Sequence, residues 1–190
     1  MYMREDELSR LLQRAAEALD IPEHLYKEAE KKYQEVGHFL GAPDSALNTT
    51  FLDIYHQGSF RLGTINRPIT DLDEFDIDLV SLLQLKKESI TQNELKQRIG
   101  DRLKQNADYC KILVEGRRCW TLNFEGRFHM DILPAIPDEG GEKDSILVTD
   151  RKLVHWQHSD PKGYAVWFLK LIPSRLFAEE RETLAKALQV

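Results

Sequence analysis

Cysteine is scarce: Cys110 and Cys119 are the two present in 190 residues. No second Cys or His pair gives them a zinc-finger spacing. Both fall in neighbouring predicted strands, so they read as buried, reduced thiols. No apolar run approaches the length of a membrane span, and the opening Met1–Asp6 is acidic where a signal peptide needs an apolar stretch. That predicts no membrane contact and a cytoplasmic location. An excess of positive charge is also missing. The formal charge is −6, which argues against a whole-surface nucleic-acid footprint and leaves a local basic groove open. Repeats and low-complexity linkers are absent. What is there is ordinary for one globular domain with a real core: 42% hydrophobic and 31% charged residues.

The first forty residues have helical periodicity. Leu8, Leu11, Leu12, Ala15, Ala18 and Leu19 make one apolar stripe. Pro22 suits the first turn of a second helix that keeps Leu25, Ala29, Tyr33, Val36 and Leu40 on one side and stops near Gly41-Ala42-Pro43. Its Lys27, Glu28, Glu30, Lys31, Lys32 and Glu35 read as a solvated face. From Phe51 the texture changes. A short strand over Ile54-Tyr55-His56 runs into Gly58. Further strands are expected at Phe75–Leu83, Lys111–Glu115, Cys119–Phe124 and Phe128–Ala135, with a polar helix over Thr91–Ala107. Pro137–Asp144 reads as a polar loop. Pro161 opens a helix, and Pro173-Ser174 separates it from a last one over Arg175–Leu188. His155 and His158, three apart, read as structural. The layout predicts an α+β fold with helices packed on one mixed sheet.

Asp76 and Asp78 carry the chemistry. Residues i and i+2 of a strand share a face, so two carboxylates project together while Phe75, Ile77 and Leu79 face the core. Close like charges are unfavourable without a compensating cation, and a hard divalent cation with oxygen ligands supplies it. Asp131 repeats the pattern: with Phe128, Met130 and Ile132 inward, His129 and Asp131 face the other carboxylates. Three aspartates on two adjacent strands can hold two Mg²⁺ (or Mn²⁺) ions, which clamp the attacking and leaving oxygens of a phosphoryl displacement. Asp71, Asp73 and Glu74 read as loop charges. The second element is Gln57-Gly58-Ser59-Phe60-Arg61-Leu62-Gly63-Thr64. A glycine ends a strand, which lets backbone approach a phosphate, and Ser59 opens a helix whose free N–H groups face outward. Ser59 is expected to cap that helix and to donate to a phosphate oxygen; Arg61 adds a cation.

These residues resemble the polymerase β-like nucleotidyltransferase superfamily. Within it, the phrases Gln57–Thr64, Glu74–Val80, Phe128–Pro134 and Ser159–Ala165 are similar to the CD-NTases, the cyclic-oligonucleotide synthases of anti-phage CBASS systems. The resemblance runs from about Leu8 to Leu171. It implies that Asp76 and Asp78 bind both metals, that Asp131 completes the site and helps activate a 3′-hydroxyl, and that Gln57, Gly58 and Ser59 hold the donor triphosphate. NTPs, with ATP foremost, would be the substrates, and cyclic di- or trinucleotides plus pyrophosphate the products. It further implies a catalytic domain over 1–172 and the start of a helical C-terminal region over 173–190. Family members continue into a helical second lobe, so this chain is expected to be a truncated form, a minimal member or one half of an assembled enzyme, with room for an activating protein partner.

Two other functions compete. One is a minimal nucleotidyltransferase that transfers AMP to protein or RNA, which the long N-terminal hairpin opposes. The other is a nucleotide-binding module without turnover, which three intact aspartates oppose. Arg117, Arg118 and Lys162 are further candidates for phosphate contacts, and Trp156 and Tyr164 for stacking on a base.

Overall fold

The computed structural model describes residues 5–67, 74–124, 126–150 and 152–171. The expectations for Asp71, Asp73, the Arg175–Leu188 helix and the 173–190 region lie outside the described residues. Two helices open the chain, α1 (Glu5–Leu19) and α2 (Glu23–Leu40), as the apolar spacing predicts. Pro22 occupies the N-cap of α2 with φ −54°, one place before the first turn. Gly41 ends the helix, its N–H bonding Gly37 O at 3.0 Å. Ala29, Val36 and Leu40 are buried, while Lys27, Lys31 and Lys32 pair with Glu23 and Glu35 along the outer face. On α1, by contrast, Leu8, Leu11, Leu12 and Leu19 remain exposed among the described residues.

Next come β1 (Phe51–Gln57), α3 (Gly58–Leu62), β2 (Phe75–Leu83), α4 (Gln92–Lys104), α5 (Ala107–Ile112), β3 (Leu113–Glu115), β4 (Trp120–Phe124), β5 (Phe128–Pro137), β6 (Ile146–Thr149), β7 (Trp156–Ser159) and α6 (Pro161–Leu171). The strands form one mixed sheet in the order β1-β2-β5-β4-β3, with β6 on the far part of β5 and β7 beside β6. Only the β2–β5 pair is parallel among the described pairings. The α+β expectation is met.

Three local departures have physical causes. The predicted helix over Thr91–Ala107 starts as expected, with a capping box in which Thr91 Oγ1 accepts from Glu94 N and Glu94 Oε2 accepts from Thr91 N. It then stops at Lys104, because the Asn106 side chain accepts from Asp108 N and Tyr109 N and starts α5 afresh. Consequently Lys111 and Ile112, expected in a strand, are helical, and the strand begins at Leu113. Cys110 therefore sits exposed on α5, while Cys119 is half-buried just ahead of β4; both are free thiols, so burial fails for Cys110. The strands β6 and β7 were not anticipated. Ile146-Leu147-Val148 is buried on both faces, so it shows no alternation, and β7 is a polar strand.

One face of the sheet carries the main core. Phe75, Ile77 and Leu79 of β2, Phe128, Met130 and Ile132 of β5, and Trp120 and Leu122 of β4 meet Ala29, Val36 and Leu40 of α2 and Leu95, Ile99 and Leu103 of α4. The opposite face is split along its length. Tyr55, Val80, Leu82, Leu133, Ala135, Ile146 and Val148 form a second apolar cluster at one end, and the acidic residues occupy the other. The α4 helix lies close on Trp120, whose indole N–H donates to Lys96 O at 2.8 Å. A Cβ on Gly100 would stand 2.1 Å from the Trp120 ring.

Gly100→Ala tests this packing. Helix propensity alone favours alanine by about 1 kcal/mol, but overpacking against a buried indole costs about 1–3 kcal/mol. Urea unfolding is expected to show a net loss of stability; a more stable variant would mean the Trp120 ring moves freely.

Candidate active site

The parallel register places Asp78 directly beside Asp131 and Asp76 beside His129. Antiparallel pairing of β4 then sets Thr121 beside Asp131 and Asn123 beside His129. Two rows of polar side chains thus cross the sheet on its non-core face: Asp78, Asp131 and Thr121 in one, Asp76, His129 and Asn123 in the other. Asp76 is exposed, while Asp78 and Asp131 are half-buried. Burial, and after it the charges of Asp131 and Asp76, push the Asp78 carboxyl above its ordinary pKa, with Arg118 pulling the other way. Thr121 Oγ1 donates to Asp131 Oδ1 at 2.5 Å.

The glycine turn lies against these acids. Gly58 has φ +62°, a left-handed conformation that strains any side chain, and a Cβ there would stand 2.6 Å from Asp78 Oδ2. Sequence reasoning made Ser59 the cap of the helix. Instead Gln57 holds the N-cap position of α3, without a side-chain cap bond, and Ser59 lies inside the helix. The reason is the left-handed Gly58, which makes the turn itself and leaves Ser59 one step too late. Gln57, Gly58 and Arg61 line a cavity of about 430 Å³ together with Asp160 and Tyr164. Arg61 is 6% exposed. Its Nη1 donates to His56 O at 3.4 Å, and its Nε is buried without a hydrogen-bond partner. No surface acid claims it within salt-bridge distance among the described residues. Burial lowers its pKa.

The other candidates scatter. Arg118 is half-buried and acts on Asp78, whereas Arg117 is exposed. Lys162 is taken up by Asp53 at 3.4 Å and by the Tyr55 ring at 4.3 Å. Trp156 packs against the core, but Tyr164 is 53% exposed beside the cavity. His158 pairs with Asp138 at 2.5 Å, the structural reading. Sequence reasoning missed Thr121, Asn123 and Asp160. The inward Trp120, Leu122 and Phe124 signal that Thr121 and Asn123 face outward, but their neighbours emerge only from the register.

Among the described residues no three His, Cys, Asp or Glu side chains converge closely enough to cage a metal ion. The donor chemistry nevertheless fits one kind of ion. Asp76, Asp78 and Asp131 offer hard oxygens on one face, and their mutual repulsion is what a divalent cation relieves.

His56 supports the turn from the core side. It is 8% exposed, its ring meets Phe60 edge-on at 5.4 Å, and Phe60 stacks on Tyr26 at 4.6 Å. Burial first, and then the Arg61 charge, hold its pKa down at about 4. Below its ordinary pKa of about 6.5 the unfolded chain takes up a proton that folded His56 refuses. Stability therefore falls as pH drops from about 6.5 towards 4, by on the order of 3 kcal/mol from this residue. Comparing urea unfolding of the protein with His56→Leu at pH 7 and pH 4 isolates the effect; an equal pH dependence in both would exclude it.

Several proteins are similar to this chain. A c-di-GMP synthase of Roseivirga ehrenbergii is 30% identical over 165 residues, 87% of this chain and 44% of the relative. The CD-NTase CdnG of Bradyrhizobium diazoefficiens, solved in complex with GTP, matches 91% of this chain and 50% of its own with a TM-score of 0.72 at 20% identity. The Escherichia coli CdnC, solved in complex with a HORMA protein, matches 83% and 48% with a TM-score of 0.59 at 14% identity. These likenesses show the fold. The chain spans about half the length of the curated relatives it matches. Residues 7–171 match the model of the Second Messenger Oligonucleotide or Dinucleotide Synthetase (SMODS) domain, and the chain belongs to that family, within the CD-NTases.

Proposed function

We propose that this chain is the catalytic part of a metal-dependent nucleotidyltransferase that joins NTPs into cyclic di- or trinucleotides, second messengers of anti-phage defence in the cytoplasm. The observation that carries this reading is the register of Asp78 against Asp131, with Asp76 two residues away and the left-handed Gly58 turn packed on Asp78. The names of the relatives point to GTP as a substrate, alongside the ATP expected from sequence. The HORMA complex of one fold neighbour supports an activating protein partner.

The chain's own residues suggest how the transfer runs. Gln57, Gly58 and Ser59 receive the donor triphosphate, with backbone approach made possible by the missing Cβ. Arg61, already desolvated, needs no further dehydration to meet a phosphate oxygen. Asp131 takes the proton of the attacking 3′-hydroxyl. The new O3′–P bond forms as the bond to pyrophosphate breaks, and a second transfer closes the ring. Asp76, Asp78 and Asp131 would hold Mg²⁺ or Mn²⁺, which would supply charge neutralisation at the attacking and leaving oxygens. Tyr164, exposed at the cavity, offers a stacking face worth about 1–3 kcal/mol per base.

Incubation with mixed NTPs and Mg²⁺ or Mn²⁺, followed by phosphatase treatment, should leave resistant cyclic products. Labelled protein or RNA would identify an AMP-transferring enzyme instead, and bound but unconverted nucleotide a binding module. Asp76→Asn with Asp78→Asn should abolish turnover and raise the melting temperature in metal-free buffer at pH 7. The raised Asp78 pKa sets the sign. Ionisation costs stability above the folded value, so the gain should shrink as pH falls into the carboxylate range. A variant that melts several degrees lower would show that the pair serves structure. Ser59→Ala should weaken nucleotide binding by about 1 kcal/mol, and Gly58→Val by more; unchanged affinity in both would reject the turn assignment.

A further inference from the structure

The second row of polar residues has a feature that the transfer chemistry leaves unused. His129 stands beside Asp76 on the neighbouring strand, on the same face. Side chains at directly opposed positions of adjacent strands are close enough to bond. A histidine N–H next to a carboxylate can bond it, and the lone pair so engaged is closed to a cation. Here the imidazole is committed elsewhere. Its Nε2 meets Glu74 Oε2 at 2.5 Å, and its Nδ1 meets Asn123 Oδ1 at 2.8 Å. Both ring nitrogens are thus occupied, and neither is left for Asp76.

Glu74 is itself fixed. Its other oxygen accepts from Gly126 N at 2.6 Å, which ties it to the turn between β4 and β5. Its side chain is 18% exposed, less than half the 39% of His129, so the pair is shielded on the Glu74 side. Glu74 directly adjoins β2, two residues ahead of Asp76. Glu74 touches the imidazole of His129, which stands beside Asp76 in the register, and the bond to Gly126 holds Glu74 there.

We propose that Glu74 is a positioning residue that sequesters His129 from Asp76 and so keeps Asp76 available to a divalent cation. This rests on the reading of Asp76, Asp78 and Asp131 as metal ligands. Loss of a partner that sets the ligands from just outside a metal site costs about 10–100-fold in affinity. The role differs from that of a simple strap across three strands. A strap fails when either partner is lost. A sequestering acid becomes dispensable once the histidine it restrains is gone.

The test is Mn²⁺ binding to the intact chain, read by electron paramagnetic resonance of the free ion without nucleotide, with thermal melting as the control for folding. Asp78→Asn serves first. If the wild-type chain binds no Mn²⁺ in a manner that Asp78→Asn removes, the metal reading itself fails. If it does, Glu74→Ala is expected to raise the Mn²⁺ dissociation constant about tenfold. His129→Ala alone is expected to leave it within about twofold of wild type, and Glu74→Ala with His129→Ala to return it close to wild type. Rescue by the second substitution supports sequestration. A double variant as weak as Glu74→Ala, or a Glu74→Ala variant that binds like wild type, overturns it.

Discussion

The parallel pairing of β2 with β5 is the constraint on which the rest depends. It lays Asp78 against Asp131 and thereby creates a repulsion that the protein must tolerate. The core face of the same two strands supplies the tolerance. Ile77, Leu79, Met130 and Ile132 are fully buried, and full burial of one such side chain is worth about 1.5–3 kcal/mol. The pleat couples the two effects. Slipping the register by one residue to separate the acids would turn the whole apolar set to the wrong face. The carboxylates stay together because their neighbours in sequence cannot move.

The phosphate turn depends on the same strands from the other side. Strand β1 pairs with β2 so that Gln57 stands beside Asp78, and the chain then turns at Gly58 with no room for a side chain. Beneath it, Phe60 and His56 anchor the short α3 helix to α2 through Tyr26 and Tyr33. Helix α2 is therefore a support for the turn, which explains how a five-residue helix holds its place without a side-chain cap.

Much of this was legible in the sequence, and for definable reasons. Phe75–Leu83 is a strand over the full predicted range because its alternation is strong and its acids fall on a single parity. The hairpin α1–α2 is legible from its period. The failures fall where local chemistry competes or where no period exists. Asn106 restarts a helix that propensity would extend, Ile146-Leu147-Val148 is too short and too apolar to alternate, and the cap was assigned to Ser59 because a left-handed glycine has no signature of its own. Glu74 lies in the loop ahead of β2, as read, but its partners His129 and Gly126 are more than fifty residues away and only the register of β2 and β5 brings them near. Asp71 and Asp73, read with it as loop charges, lie outside the described residues.

That separation has a kinetic side. Asp78 and Asp131 are 53 residues apart in sequence, and the crossover between them contains two helices and a hairpin. Closing so long a loop is entropically costly before its contacts reward it. The helices α2 and α4 and the β3–β4–β5 meander are far more local and can form first. The acids meet only when β2 pairs with β5, the least local of the described strand pairings, and to the extent that this pairing forms late their repulsion falls on the native side of the folding barrier. Relief of that repulsion acts accordingly on the unfolding rate more than on the folding rate, so a divalent cation would lengthen the lifetime of the folded chain without hastening its formation.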